Sequence, residues 1–226
     1  ALEEPNLSVY TSRLPQTSFV LFNLQNSEVG FLQNLKVRRA LMLGVNRPYI
    51  INAFLQGQAV LANGPILPGS WAYYDGTEHF EYDPEAAARL LKGEGYIIPA
   101  EGGEVRAREG IRLAFTMLHP DDALHTQIAQ TIRDQWAGIG VQVELQAVPY
   151  DKLAMDFLAP RSYQAALVDI NLSRTPDPDP YPFWHQAEAT GGQNYSQWND
   201  RTASEYLEQA RVTADFTMRA RLYRNF

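Results

Sequence analysis

The chain has no cysteine among its 226 residues, which excludes disulfides, thiol catalysis and zinc sites built on cysteine. It also lacks any basic excess. Its 19 Lys and Arg stand against 26 Asp and Glu, a formal net charge of −7, and no Lys/Arg run occurs. That balance argues against nucleic acid or an anionic membrane surface as a partner. No apolar run approaches the roughly 20 residues that a membrane span needs. The four histidines, His79, His119, His125 and His185, include no pair at i, i+4 and no His-Glu-x-x-His, so no metal site is expected. Pro68-Gly69-Ser70-Trp71 lacks the second glycine of a nucleophile elbow, and no glycine-rich nucleotide loop is present. The opening Ala1-Leu2-Glu3-Glu4-Pro5 carries neither a basic n-region nor an apolar h-region, so no secretory signal is read there. The helical pattern over 217–226 stops without a Gly or Pro signal, as an excised piece would.

What is present is an ordinary globular composition, 45% apolar and 20% charged, arranged as alternating strands and helices. Thr17 to Leu24 is β-branched and aromatic enough for a buried strand. Leu35, Ala40, Leu41 and Leu43 give a helical stripe. Asn46 before Arg47-Pro48, and Asp83 before Pro84, read as caps with proline in the first turn of two further helices. Ala62 to Gly76 reads as loop, and Ala100 to Glu109 as a charged turn. The clearest unit is Ile111 to Leu118 as strand, Asp121 to Ala137 as helix with Leu124, Ile128, Ile132 and Trp136 on one face, and Val141 to Val148 as strand. Such strand–helix–strand units place their strands parallel. A short helix over 149–158, a strand over Tyr163 to Ile170, and two closing helices, Arg201 to Thr213 and Phe216 to Phe226, complete an α/β fold.

The most informative stretch is Pro176 to Trp184. Its four prolines in nine residues remove four backbone donors and restrict each preceding residue, which predicts a stiff, extended loop without helix. The loop fixes two carboxylates, Asp177 and Asp179, and the rings of Tyr181, Phe183 and Trp184, just beyond a buried strand. That is where α/β proteins commonly place a ligand. A structural Pro-rich connector is the equal alternative. Asp177 and Asp179 also invite readings as the start of a calcium loop or as an acid/base pair. The interleaved prolines weigh against the first, and nothing in the sequence marks a perturbed carboxyl for the second. A binding module therefore leads over an enzyme.

A series of landmarks then runs in order along nearly the whole chain. It comprises Phe22-Asn23-Leu24, Val37-Arg38-Arg39-Ala40-Leu41, Asn46-Arg47, Gly57-Gln58-Ala59, Gly64-Pro65-Ile66-Leu67-Pro68 and Tyr82-Asp83-Pro84-Glu85-Ala86-Ala87. It continues with Gly95-Tyr96, Ile139-Gly140-Val141, Asp177-Pro178-Asp179-Pro180, Asn194-Tyr195 and Leu207-Glu208-Gln209-Ala210-Arg211. The series resembles the family 5 extracellular solute-binding proteins of ABC importers, the oligopeptide and dipeptide group. The resemblance implies an extracytoplasmic, two-lobed protein that closes on a peptide or related small solute and delivers it to a membrane permease, with no cofactor. It implies that residues 1–226 form a single domain, the second lobe of such a protein, monomeric, with the first lobe and any signal or anchor lying outside the chain.

For the ligand wall it points to Arg174, Asp177, Asp179, Trp184, Asn194 and Tyr195, with Trp71 and Asn23 added. Rings supply stacking area and Asp, Asn and Arg supply orientation in such pockets. For Trp184 and Tyr195 a core role stays open, and for Asp179 a turn-fixing role. The family's amine-binding aspartate is replaced here by Pro176 or, with the alignment moved by two, Arg174. A sugar, opine or metal chelate thus stays open beside a peptide. A hydrolase using Asp177 and Asp179, and a sensory or scaffold module without transport, are the two readings outside the class.

Overall fold

Residues 14–172 and 177–226 are described by the structure, a computed structural model. The elements run β1 (Gln16–Phe22), a 3-10 helix (Ser27–Gln33), α1 (Leu35–Leu43), α2 (Arg47–Phe54) and α3 (Pro84–Gly93). A hairpin of β2 (Ala107–Arg108) and β3 (Ile111–Arg112) leads into β4 (Ala114–Pro120), α4 (Ala123–Gly138) and β5 (Gln142–Val148). Then come α5 (Tyr150–Lys152), continuing as a π-helical turn over Leu153–Leu158, and β6 (Ala165–Asn171). Two single turns, α6 (Tyr181–Trp184) and α7 (Glu188–Gly191), precede α8 (Arg201–Val212) and α9 (Phe216–Asn225).

The main sheet has the order β1-β6-β4-β5. β4 pairs in parallel with both β5 and β6, and β1 closes one edge antiparallel to β6. The crossover unit read from the sequence is therefore present, but its first strand runs Ala114–Pro120 rather than from Ile111, because Ile111 and Arg112 pair with β2 instead; the sheet is mixed with helices on its faces. Ile128, Ala129, Ile132 and Trp136 recur at helical spacing, so α4 buries one stripe in the main core with Phe115, Met117, Val143 and Leu167. The Trp136 indole Nε1 donates to Leu41 O at 2.8 Å, so its one polar atom is satisfied inside the core. The opposite face of the sheet carries Leu21, Leu118, Ala166 and Val168 against Leu153 and Leu158. A third cluster, with Ile66, Leu207, Ala210 and Tyr223, joins the 62–76 loop to α8 and α9.

The caps act as their local sequences dictate. The Asn46 side chain accepts from Tyr49 N, and Asp83 accepts from Ala86 N. α4 ends in a Schellman motif: Gly140, at φ +84°, donates to Ala137 O, and Val141 donates to Trp136 O. This turn starts β5 directly above the helix that feeds it.

Several expectations are corrected. Leu35 and Leu124 lie on the exposed side, at 54% and 37% exposure, because the buried stripe of each helix runs along a neighbouring row of positions. Val37 and Ala129 take buried places instead. The N-cap of α4 is Asp122, one residue after the expected start. β1 is an edge strand in which only Leu21 is fully buried. The segment 100–109 contains half of a hairpin, held where Arg106 N donates to Gly140 O and Arg106 Nε to Ile139 O. The proline segment also includes a helical turn, α6, because Pro182 falls in its first turn, where a missing N–H costs nothing.

Candidate functional site

All three parallel strands end at one edge of the sheet, and the start of the antiparallel β1 joins them there. Side chains from three elements meet at this edge around Asp169. Its carboxylate accepts from Gln16 Nε2 (2.7 Å) and from Ser18 Oγ, both on β1. His125, in the first turn of α4, places Nε2 3.2 Å from Asp169 Oδ2 and Nδ1 2.6 Å from Asp122 Oδ2. An imidazolium donates to both carboxylates, and a neutral ring to one only. The Tyr150 hydroxyl, just beyond β5, donates to Asp169 O at 2.9 Å. Burial, the largest influence on Asp122, raises its pKa, but hydrogen bonds and charge from His125 together outweigh it and leave the carboxyl below its usual range. No motif marks this cluster. Its one signal is a lone carboxylate in the otherwise apolar run Ala165–Ile170.

From Asp177 onward the chain is pinned by side chains. Asp177 Oδ1 accepts from Asp179 N (3.1 Å), and Asp179 Oδ1 accepts from Tyr181 N (3.0 Å), two successive side-chain-fixed turns. Arg219 of α9 grips Asp177 through two bonds of 2.6 and 2.9 Å, and Arg211 of α8 donates to Asp179 Oδ2 at 2.7 Å. Burial pushes the Tyr223 hydroxyl up to about 12, and that hydroxyl accepts from Arg219 Nη2 at 2.8 Å. His185 Nδ1 accepts from Ala187 N, so its proton sits on Nε2 and is donated to Glu208 at 3.0 Å. That bond, with Arg201 nearby, holds the Glu208 carboxyl below its ordinary value. Trp184 meets Phe19 edge-on at 5.9 Å and closes, with Thr17, Ile170, Leu172 and Phe183, a cavity of about 10 Å³, room for about one water.

The eight residues singled out from the sequence divide by place. Asp177, Asp179, Trp184 and Trp71 lie together around the third core cluster. Trp71 is 38% exposed, edge-on to Phe216 at 4.8 Å and 5.5 Å from the Arg219 guanidinium. Asn23, Asn194 and Tyr195 lie at the other end of the strands, where Asn23 N meets Gln164 O and Leu24 N meets Ser196 O. The Asn23 amide spans Arg161 O, Tyr163 O and Gln25 N, and the Asn194 amide bonds His185 O, Trp198 O, Ser196 and Trp198 N; both side chains are buried. Tyr195 stacks under Arg161, whose guanidinium is 5.0 Å from the ring. Arg174, and the alternative position Pro176, lie outside the described residues.

Arg161 was not foreseen. It adopts φ +62° and donates to five carbonyls, those of Leu158, Ala159, Glu188, Ala189 and Gly192. Arg161→Met should cost about 1.5–3 kcal/mol, the value of one charged hydrogen bond or more, in urea melts; a loss within about 0.5 kcal/mol would show the staple to be redundant.

A second expectation concerns acid. Glu94 is lowered by its bonds from Lys36 and Asn34, and Asp122 and Glu208 are lowered as above. Because each folded value lies below the unfolded one, their stabilisation is present above about pH 4 and lost as pH falls through the folded values. The urea midpoint should therefore decline progressively below about pH 4, less steeply in Glu94→Gln and Glu208→Gln. An equal decline in both variants would assign acid sensitivity to other groups.

Comparison with known proteins identifies the family. The family model described as "Bacterial extracellular solute-binding proteins, family 5 Middle" matches residues 1–194. The chain is 29% identical to the dipeptide-binding protein of Escherichia coli K12 over 228 residues, 99% of this chain and 38% of that protein. Its fold matches AppA from Bacillus subtilis, solved with a nonapeptide, at a TM-score of 0.86 and 24% identity over 98% of this chain and 44% of that one. It also matches NikZ from Campylobacter jejuni, solved with Ni(L-His), at 0.84 and 25% identity over 100% and 44%. The chain thus spans about two fifths of the length of these relatives. The Escherichia coli and Bacillus subtilis proteins are named as binding proteins. With the match extending over most of the sequence, the chain belongs to the bacterial extracellular solute-binding proteins of family 5.

Proposed function

We propose that this chain is the second lobe of a two-lobed, extracytoplasmic solute-binding protein that captures a peptide or related small solute and hands it to an ABC permease. The carrying observation is the edge where β4, β5 and β6 all end, next to the 177–184 segment with its half-buried rings. In open α/β sheets this is the edge at which ligands bind. The wall comprises Trp184, Phe183 and Trp71 with Asp177 and Asp179 behind them, and Arg174 belongs to it by position in the sequence. Asn23, Asn194 and Tyr195 lie nearer the start of β6, where the side-chain amides of Asn23 and Asn194 are bonded within the chain.

The likeness to a structure solved with Ni(L-His) makes a small metal chelate the second ligand class to test. Calorimetric titration of the two-lobed protein with mixed di- to pentapeptides and with Ni(L-His) is the experiment. Saturable binding of either class supports the reading, and turnover of any of them with release of product would replace it by a hydrolase.

A further inference from the structure

We propose that Arg211 and Arg219 are positioning residues for solute capture, an inference that rests on the reading of the 177–184 segment as part of the ligand wall. The segment has little means of holding itself. Pro178, Pro180 and Pro182 offer no N–H, and its one helical turn is four residues long. Its two aspartates serve instead as feet. Each turns one oxygen inward to a backbone N–H of the segment and presents carboxylate to an arginine of a later helix.

The two arginines do different work. Arg219 meets Asp177 as a bidentate fork, a geometry that fixes direction as well as distance. Arg211 pins a ring: its guanidinium lies 3.6 Å over Tyr181, whose ring is stacked on His185 at 4.0 Å and 10°. Tyr181 is thus clamped between cation and imidazole, and the next residues, Phe183 and Trp184, are set against β1 and β6. The aspartate charge is neutralised from the helix side. The wall accordingly recognises its solute chiefly through rings, and a ligand ammonium gains less from Asp177 or Asp179 than from an unpaired carboxylate.

Three variants of the two-lobed protein test this: Arg219→Met, Arg219→Lys and, as a control that lowers stability far from the segment, Ile132→Val. Each is measured for affinity toward the tightest peptide or chelate found for the wild type, for melting temperature, and for amide hydrogen exchange over 177–192. Arg219→Met should weaken affinity at least tenfold and speed exchange at Phe183 to His185, whose amides bond Pro180 O and Tyr181 O, with the sheet unchanged. Arg219→Lys, which keeps charge without the fork, should recover part of both losses. Ile132→Val should leave affinity intact. Unchanged affinity in Arg219→Met, beside a wild type that binds, overturns this inference alone. A loss of affinity matched by Ile132→Val shows a general stability effect and overturns it too. A wild type that binds no solute overturns the functional reading together with it.

Discussion

Replacing Trp136 by alanine should destabilise the fold by about 3–5 kcal/mol in denaturant melts, the range for large aromatic truncations in a core. The indole is 2% exposed at the last turn of α4 and lies within 5.6–6.2 Å of the Phe115 and Phe22 rings. Its removal empties the junction between α4, α1 and the sheet, and it orphans the Leu41 carbonyl at the end of α1. The packing there is close on the facing side as well: a Cβ on Gly44 would sit 2.8 Å from Ile139 Cδ1. The site therefore collapses poorly around a cavity, which favours the upper part of the range. A loss below about 1 kcal/mol would contradict the placement of Trp136 at the centre of the main core.

The second large effect is on binding. In the two-lobed protein, Trp184→Ala should weaken solute affinity by about ten- to a hundredfold, or roughly 1.4–2.8 kcal/mol, while the lobe stays folded. Trp184 bridges the second and third core clusters and edges onto Phe19, so its loss frees the α6 turn from β1 as well as removing ring area from the wall. Asp177→Ala should act in the same direction by releasing Arg219. Titration calorimetry beside circular dichroism melts separates the two contributions: unchanged affinity in both variants removes this segment from the site.

What the sequence made legible was local or periodic. Asn46 and Asp83 could be read as caps because each bonds an N–H three residues ahead. The strand–helix–strand unit could be read because its spacing switches from about two to about four and back within 114–148. The role of the two loop aspartates was harder to read, since their arginines lie 42 and 32 residues downstream on helices whose docking no local pattern records. The Asp169 cluster was missed for a related reason. Gln16 and Ser18 reach it only through the antiparallel pairing of β1 with β6, a register spanning about 150 residues of chain. Asn23 follows the end of β1 while Trp184 packs on Phe19 within it, a relation that no local pattern records.

The central claim is that this lobe supplies one wall of a solute cleft. It is tested most directly by calorimetric titration of the two-lobed protein and of the isolated 226-residue chain against the same peptide mixture and Ni(L-His). Closure surrounds a ligand and excludes water from both sides, so the two-lobed protein should bind saturably and the isolated chain at least a hundredfold more weakly or not at all. Equal affinity in the two would contradict the shared cleft, and absence of binding to the two-lobed protein across both ligand classes would contradict the capture of such solutes.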